Sequence, residues 1–259
     1  TNASGVATGS FASTRAESKV LSATINGIAL SQPVDLTVLP GAVSAARSLV
    51  AADPTTVVAG AGSTAITVTA RDANDNLISG ATVTLAATGA GNTLTQPAAP
   101  TNASGIATGS LASSASGTKT ITATIGGIAI TQSATVVFQA GGVSAAQSLI
   151  ETDLASIAAG DSTTVTVTAR DANGNPVVGA SVTLSATGDG NAITQPAATT
   201  DVNGVATGRF GSTVAQDKVL SATIAGVGIT QTAAVSVTAA AISDTASSVS
   251  VDPSTVAAD

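Results

Sequence analysis

The stretch TVTVTARDANGNPVVGASVTL at residues 164–184 has a close copy, AITVTARDANDNLISGATVTL, at residues 65–85. In both stretches apolar and polar residues alternate on either side of a short segment rich in Asp, Asn and Gly. Alternation with a period of two is typical of a β-strand with one buried face, and Asn, Asp and Gly are typical of tight turns. Each copy is therefore predicted to be a strand, a turn and a second strand.

The two copies belong to a longer repeat. The segment TNASGVATGSFAST at residues 1–14 returns as TNASGIATGSLASS at 101–114 and as DVNGVATGRFGST at 201–213. Alternation of period two continues through the unit, for example at Ile66 and Val68, and no segment shows helical periodicity. About seven short strands in a unit of about one hundred residues predict an all-β fold of tandem immunoglobulin-like antiparallel β-sandwiches.

The repeat predicts the domain boundaries. Residues 42–140 and 141–239 are each expected to be a complete repeat, residues 1–41 the C-terminal half of a repeat, and residues 240–259 the first strand of a further one. On this interpretation the sequence is a piece of a longer array, with any export signal outside it. No Gly/Ser-rich spacer separates the units, which predicts a semi-rigid connection between neighbouring repeats.

The composition excludes several classes of function. The sequence has no Cys and no His, so thiolate nucleophiles, imidazole bases and the usual zinc sites are excluded. The net charge is −7, the pI is about 4.2 and the eight Lys and Arg residues are scattered, which argues against nucleic acid and anionic lipid as partners. Thr, Ser or Gly interrupts every apolar run before it could span a bilayer, so no membrane insertion is expected.

The Asp/Asn segment resembles the hallmark of the group-one bacterial immunoglobulin-like domain, the module repeated in invasin and intimin. Its pattern is Asp-x-Asn-Gly-Asn-Pro, a hydrophobic pair and Gly. The second copy matches it fully and the first in part, with Asp75 and Leu77 in place of Gly and Pro. The matching residues are Asp171, Asn173, Gly174, Asn175, Pro176 and Gly179, and Asp72, Asn74, Asn76 and Gly80. The resemblance implies stalk or spacer repeats of a bacterial cell-surface adhesin or an extracellular filament.

The same segment also raises the question of calcium. Asp171, Asn173 and Asn175 alternate like the first ligands of an EF-hand loop, but Pro176 occupies the sixth position and Val182 the twelfth, where Gly and a bidentate Glu are required. The alternative is a turn stabilised by hydrogen bonds from the backbone to its own side chains. We favour the turn, and the calcium site remains open.

No residue is predicted to be catalytic, to bind a cofactor or to hold a metal. The carboxylate pairs Asp72 with Asp75 and Asp171 with Asp189 are expected to be solvated surface charges and not a catalytic pair. Sugar-binding sandwiches present aromatic platforms, whereas the three aromatic residues here, Phe11, Phe138 and Phe210, are predicted to be core.

The expected partners are neighbouring repeats of the same chain, with lateral assembly of copies into a fibre as an additional hypothesis. The alternative function is a glycan-binding or protein-binding module of a surface protein. In either case the expected location is extracellular, on the bacterial surface.

Overall fold

The computed structural model describes residues 1–243 and 246–250, and the chain divides into two compact units, Thr1–Gln139 and Ala140–Asp259. All regular structure in the described residues is β-strand, which confirms the all-β prediction. The same part of the chain has no helix that could cross a membrane. The strand predicted within residues 240–259 lies mostly outside the described residues.

The first unit contains a β-sandwich of two sheets after a short N-terminal segment. One sheet has the order β5-β7-β10-β9 and consists of β5 (Leu49–Asp53), β7 (Ser63–Thr69), β10 (Ile106–Ser113) and β9 (Asn92–Thr95). The other has the order β12-β11-β13-β6, with β8 also paired to β11, and consists of β12 (Ile128–Ala129), β11 (Gly117–Ile125), β13 (Ala134–Gln139), β6 (Thr56–Val58) and β8 (Val83–Ala87). All of these pairings are antiparallel except that of β6 with β13.

The second unit repeats this arrangement strand for strand. Its first sheet has the order β14-β16-β19-β18 and consists of β14 (Leu149–Thr152), β16 (Ser162–Thr168), β19 (Val205–Ser212) and β18 (Asn191–Thr194). Its second sheet has the order β15-β22-β20-β17, with β21 on β20, and consists of β15 (Ser156–Ala158), β22 (Ala233–Thr238), β20 (Asp217–Ile224), β17 (Val182–Ala186) and β21 (Val227–Gly228).

Each sandwich therefore has nine strands and not about seven. The first predicted strand is divided at the Asp53–Pro54 bond, so that β5 joins one sheet and β6 the other. Proline lacks an amide donor, and here it lies where the chain leaves one sheet edge for another. The two-residue strand β12 accounts for the other addition, because it pairs with the end of β11 in a hairpin.

The predicted alternation defines the core. Ile66, Val68 and Ala70 are fully buried in the first unit, and Val165, Val167 and Ala169 in the second. These side chains lie on the inner face of the strand that precedes each Asp/Asn turn. Both cores are aliphatic apart from one buried phenylalanine each, Phe138 and Phe210.

The short hairpins form where Asn-Gly and related pairs lie between apolar residues in the sequence. Asn26 and Gly27 between strands β2 (Thr24–Ile25) and β3 (Ile28–Ala29) have φ angles of 48° and 81°. Two consecutive positive φ angles characterise the type I′ turn that Asn-Gly favours. At the corresponding position of the second unit Ala225 adopts φ 47° before Gly226, so the hairpin forms even where alanine, which lacks the polar side chain of Asn, must accept this conformation.

The N-terminal segment, residues 1–41, has strands β1 (Ser18–Leu21) and β4 (Val34–Thr37) paired with each other in addition to the β2–β3 hairpin. Its apolar side chains are largely exposed. Phe11, predicted to be core, is 46% exposed, whereas Leu111 at the same repeat position is 0% exposed. The prediction for Phe11 is wrong because residues 1–41 contain no counterparts of β7 and β9, which flank β10 in its own sheet, or of β8, which belongs to the other sheet of the sandwich.

Candidate functional site

The Asp/Asn segment forms a tight turn directly after a central strand of each sandwich. In the first unit the turn follows β7 and is closed by a β-bridge between Arg71 and Leu77, with Asp75 at φ 66°. In the second unit it follows β16, is closed by a bridge between Arg170 and Pro176, and has Gly174 at φ 81°. Asp and Gly both tolerate this left-handed conformation, which explains why they exchange at this position.

Asp72 is the centre of the turn in the first unit. Its Oδ1 atom accepts the backbone N–H groups of Asn74 at 2.8 Å and Asn76 at 2.9 Å. Its Oδ2 atom accepts the Asn76 Nδ2 group at 2.7 Å and the backbone N–H of Gly41 at 2.8 Å. One carboxylate therefore closes its own turn and also binds the segment that enters the sandwich.

Asp171 makes the same four contacts in the second unit. The backbone N–H groups of Asn173 and Asn175 donate to Oδ1, both at 2.9 Å. The Asn175 Nδ2 group donates to Oδ2 at 2.9 Å and the Gly141 N–H donates to it at 2.8 Å. The bonds within the turn are the backbone-to-side-chain hydrogen bonds predicted from the sequence. The bonds to Gly41 and Gly141 join residues about 30 apart, and no local pattern in the sequence indicates them.

Both carboxylates are buried, which corrects the prediction that they are solvated surface charges. Asp72 is 2% exposed and Asp171 is 1% exposed. Burial by itself raises the pKa of a carboxyl group, but the donors oppose it. The Asn76 side chain and the N–H groups of Gly41, Asn76 and Asn74 together lower the pKa of Asp72 to about 2. The pKa of Asp171 is also lowered, against the effect of burial, by its four corresponding donors.

The other two carboxylates of the predicted pairs lie in different surroundings. Asp75 is on the outside of the turn, where its side chain is 51% exposed and lies 3.3 Å from the guanidinium of Arg47. Asp189 is exposed in the loop between β17 and β18, whereas Asp171 is buried beside β16. In each pair, therefore, one acid is buried among N–H donors and the other is exposed to solvent.

The donors around Asp72 and Asp171 define the chemistry that the turn can perform. Each carboxylate oxygen accepts two N–H groups, so hydrogen atoms already occupy the directions from which a cation would approach. Within residues 1–243 and 246–250 no three acidic side chains come together as a metal site would require. This arrangement favours a carboxylate that binds backbone over one that binds calcium.

Asn76 extends the turn toward residues 1–41. Its Oδ1 atom accepts the backbone N–H of Ala16 at 2.8 Å, and its Nδ2 group donates to the backbone carbonyl of Thr14 at 2.9 Å. The Asp/Asn turn of the first sandwich thus contacts both the N-terminal segment and the connection that follows it. No part of the sequence pattern predicted the contact with Thr14 and Ala16.

A second buried polar position, which was not predicted from the sequence, contacts the β8–β9 loop in the first unit and the β17–β18 loop in the second. Lys119 on β11 is 4% exposed and donates to the carbonyl of Ala90 at 2.8 Å. Lys218 on β20 is 0% exposed and donates to the carbonyl of Asp189 at 2.6 Å and to Gln216 Oε1 at 3.1 Å. Both lysines hold a loop through backbone carbonyls without a carboxylate partner in these contacts.

A signal for these lysines existed in the sequence. Lys19, Lys119 and Lys218 occupy the same position of the repeat, so the basic residues are not simply scattered. Alternation places Lys119 on the same face as Ile121 and Ala123, which is the buried face of β11. Lysine is seldom fully buried because its charge is costly to remove from water, and here the long stem is buried while the ammonium group reaches a loop carbonyl.

Comparison with known proteins agrees with this fold. The family profile of invasin domain 3 matches residues 44–141, and that of the bacterial Ig-like domain, group 1, matches residues 147–239. No curated protein matches the sequence.

Among solved structures, the Escherichia coli adhesin FdeC has a TM-score of 0.53 at 24% identity, covering 86% of this chain and 74% of that one. Yersinia pseudotuberculosis InvD has a TM-score of 0.61 at 25% identity, covering 78% and 60%. Invasin, described as a bacterial integrin-binding protein, has a TM-score of 0.61 at 22% identity, covering 84% and 45%. The chain thus spans less than two thirds of the InvD and invasin structures.

Proposed function

Because the chain belongs to the group-one bacterial immunoglobulin-like repeats of the invasin and intimin type, we propose that it is a non-catalytic stalk of a bacterial cell-surface adhesin. In this proposal residues 42–140 and 141–239 are complete repeats, residues 1–41 and 240–259 are parts of further repeats, and the array holds a binding region away from the cell. The similarity to FdeC, InvD and invasin supports the fold and the class of protein.

The observation that carries the proposal is the way in which the connecting segment is bound. The N–H of Val38 donates to the Glu17 carbonyl at 3.0 Å, that of Gly41 to Asp72 at 2.8 Å and that of Ser44 to the Arg71 carbonyl at 2.8 Å. A flexible linker would leave these groups to water. A connector that is hydrogen-bonded at short intervals is suited to transmitting force and to keeping a fixed spacing.

The start of the second unit has the same bonds. Gly141 donates to Asp171 at 2.8 Å, and the N–H of Ser144 donates to the Arg170 carbonyl at 2.7 Å. A recurring, bound entry segment supports a mechanical role that each repeat fulfils in the same way. In this role the buried carboxylate binds the backbone of the entry segment and takes no part in a reaction.

The composition supports the absence of catalysis. No His or Cys is available, the buried carboxylates are saturated by N–H donors, and the buried lysines bind loop carbonyls. A binding module is the alternative function, and the exposed apolar side chains of residues 1–41, such as Ile28 at 74% and Val20 at 66%, are the observation in its favour. The same exposed strands are where lateral pairing of copies into a fibre would begin.

The proposal is tested by placing the chain between an unrelated outer-membrane anchor and an epitope tag on a bacterial cell. The matched control replaces the chain by a Gly/Ser sequence of the same length, which forms a random coil. We expect the tag to lie farther from the membrane, with a narrower distribution of heights, when the repeats are present. Equal heights for the two inserts would contradict a stalk, and specific retention on a glycan array would favour the binding module.

A further inference from the structure

The Asn76 side chain uses its hydrogen-bonding groups on a segment about 60 residues earlier in the chain. Its oxygen accepts from Ala16, one of its amide hydrogens serves the Thr14 carbonyl, and the amide nitrogen also donates to Asp72. A carboxamide offers one acceptor and two donor hydrogens, and this set of contacts fixes which way it faces. At position 76 an ionised Asp could only accept hydrogen bonds and a Leu could make none, so neither could replace the Asn carboxamide.

The segment that Asn76 contacts is a turn with its own internal support. Ser13 Oγ donates to the carbonyl of Arg15 and accepts the Arg15 N–H, both at 3.1 Å. This pair of bonds shapes residues 13–16, and the Thr14 carbonyl and Ala16 N–H are the groups that meet Asn76. The two sides of the contact are therefore separately organised, one by Ser13 and the other by Asp72.

The turn at residues 13–16 recurs in the chain. Ser113 makes the same pair of bonds with Ala115 at 2.9 and 3.2 Å, and Ser212 makes it with Val214 at 3.3 and 3.2 Å. The residues after the serine differ between copies: Thr-Arg-Ala, Ser-Ala-Ser and Thr-Val-Ala. The serine and the shape of the turn are kept while the neighbouring side chains vary.

The contact itself is made with backbone groups alone. Thr14 and Ala16 contribute a carbonyl and an N–H, which any residue other than proline supplies. Neither partner group carries a charge, although Arg15 and Glu17 lie beside them and pair with each other at 3.0 Å. A surface of this kind recognises the course of the backbone and not the identity of its side chains.

We propose that Asp72 and Asn76 form a docking surface for the Ser-anchored turn of a preceding repeat, and that this contact sets the orientation of one repeat on the next. The partner is thus a turn of defined shape and variable sequence. The hallmark that identifies the family in the sequence serves, on this proposal, as a joint between repeats. The inference rests on the stalk function proposed above and specifies which residues make the stalk stiff.

The joint is tested by hydrogen exchange of individual backbone amides in the 259-residue chain. Ala16 reports on the docked turn, Gly41 on the Asp72 carboxylate, and the strand amides of β7 on the core. The variant Asn76→Ala removes both contacts with the turn, and Asn74→Ala is the matched control because Asn74 is exposed and contributes only its backbone N–H to the turn. The variant Ser13→Ala disturbs the docked turn without altering the sandwich.

We expect Asn76→Ala to accelerate exchange at Ala16 tenfold or more, with β7 unchanged, and Asn74→Ala to leave Ala16 protected. Ser13→Ala should also accelerate Ala16, and added salt should change none of these rates because no charged pair is broken. If Asn76→Ala unfolds the sandwich, Ser13→Ala alone decides the result. Protection of Ala16 that survives Ser13→Ala would overturn the proposal. The exchange result is independent of the height measurement on cells, so either the joint or the stalk can fail alone.

Discussion

The backbone N–H of Gly41 lies 2.8 Å from the Oδ2 atom of Asp72, and a buried carboxylate thereby holds the segment that leads into the first sandwich. Gly141 and Asp171 are in the same relationship at the same distance. An ionised group that is buried among N–H donors contributes more to stability than one in water, provided that every donor remains in place.

Asp72→Ala should destabilise the first unit by roughly 3 kcal/mol. The substitution leaves the N–H groups of Gly41, Asn74 and Asn76 without their acceptor, and hydrogen bonds to a charged partner contribute about 1.5–3 kcal/mol each without being additive. Urea denaturation measures the effect. Asn74→Ala is the control and should change the free energy of unfolding by less than about 0.5 kcal/mol. Equal effects for the two variants would mean that the carboxylate does not organise the turn.

The stability of the first unit should depend on pH through Asp72. Its pKa in the folded protein is about 2, below the ordinary 3.8, so its contribution is fully present above pH 3.8 and is lost as the pH falls through about 2. The shift corresponds to about 2 kcal/mol. The free energy of unfolding, measured for wild type and Asp72→Asn as the pH is lowered, should show a difference that shrinks in this window. A difference that stays constant down to pH 2 would contradict the assignment.

Calcium should leave thermal stability unchanged. Both oxygens of Asp72 and of Asp171 are occupied by N–H donors, and a cation would have to displace them. A site with a dissociation constant one hundredth of the added calcium concentration would stabilise the protein by about 2.7 kcal/mol, a shift that thermal melts detect easily. Melts with a chelator and with added calcium should coincide. A rise in the melting temperature that Asp171→Asn abolishes would establish the calcium site that the sequence left open.

Two substitutions of Lys218 distinguish the contribution of its aliphatic stem to stability from that of its ammonium group. The acceptors of its Nζ atom, the Asp189 carbonyl and Gln216, belong to exposed residues that water can reach once the lysine is gone. Lys218→Met keeps the stem and removes a buried charge, so we expect a loss below about 1 kcal/mol. Lys218→Ala also removes the packing of the stem and should lose roughly 2–3 kcal/mol. Chemical denaturation of both variants measures the two losses. If the ammonium group were the main contributor, Lys218→Met would lose as much stability as Lys218→Ala.

Gly208→Ala should be severely destabilising although its backbone is not left-handed. A Cβ atom there would lie 2.6 Å from Leu184 Cδ1 and 2.6 Å from the Thr194 carbonyl, and the second contact is with backbone that cannot move aside easily. We expect a loss of about 3 kcal/mol or failure to fold. Gly228→Ala is the control within the same unit, because a Cβ there meets nothing within 4 Å. Far-ultraviolet circular dichroism and melting temperatures compare the two, and a fully stable Gly208→Ala protein would show that β19 and β17 are packed less closely than described.

Much of the fold could be predicted from the sequence because the signals that specify it lie close together along the chain. The alternation at Ile66 and Val68 specifies which face is buried, since side chains on a strand point alternately to its two sides. Asn26-Gly27 specifies a hairpin, since both residues accept positive φ. The Asp/Asn turn was predicted for the same reason, because Asp171 binds the backbone two and four residues ahead.

The burial of polar residues could not be read in the same way. Asp72 was assigned to the surface and the burial of Lys119 was not predicted, because a charge is costly to bury without partners and the partners here are distant in sequence. Gly41 is 31 residues from Asp72, and Ala90 is 29 from Lys119. Phe11 was assigned to the core by its repeat position, but burial also requires strands that residues 1–41 do not contain.

The sequence alone therefore determined most of the strands, the turns, the repeat and the family, because each of these depends on residues that are near one another along the chain. Tertiary structure decided what the Asp/Asn turn holds. Only the folded chain brings the Asp72 carboxylate to Gly41 and the Asn76 carboxamide to Thr14 and Ala16, and a hydrogen bond between distant residues depends on where the sheets place them in space.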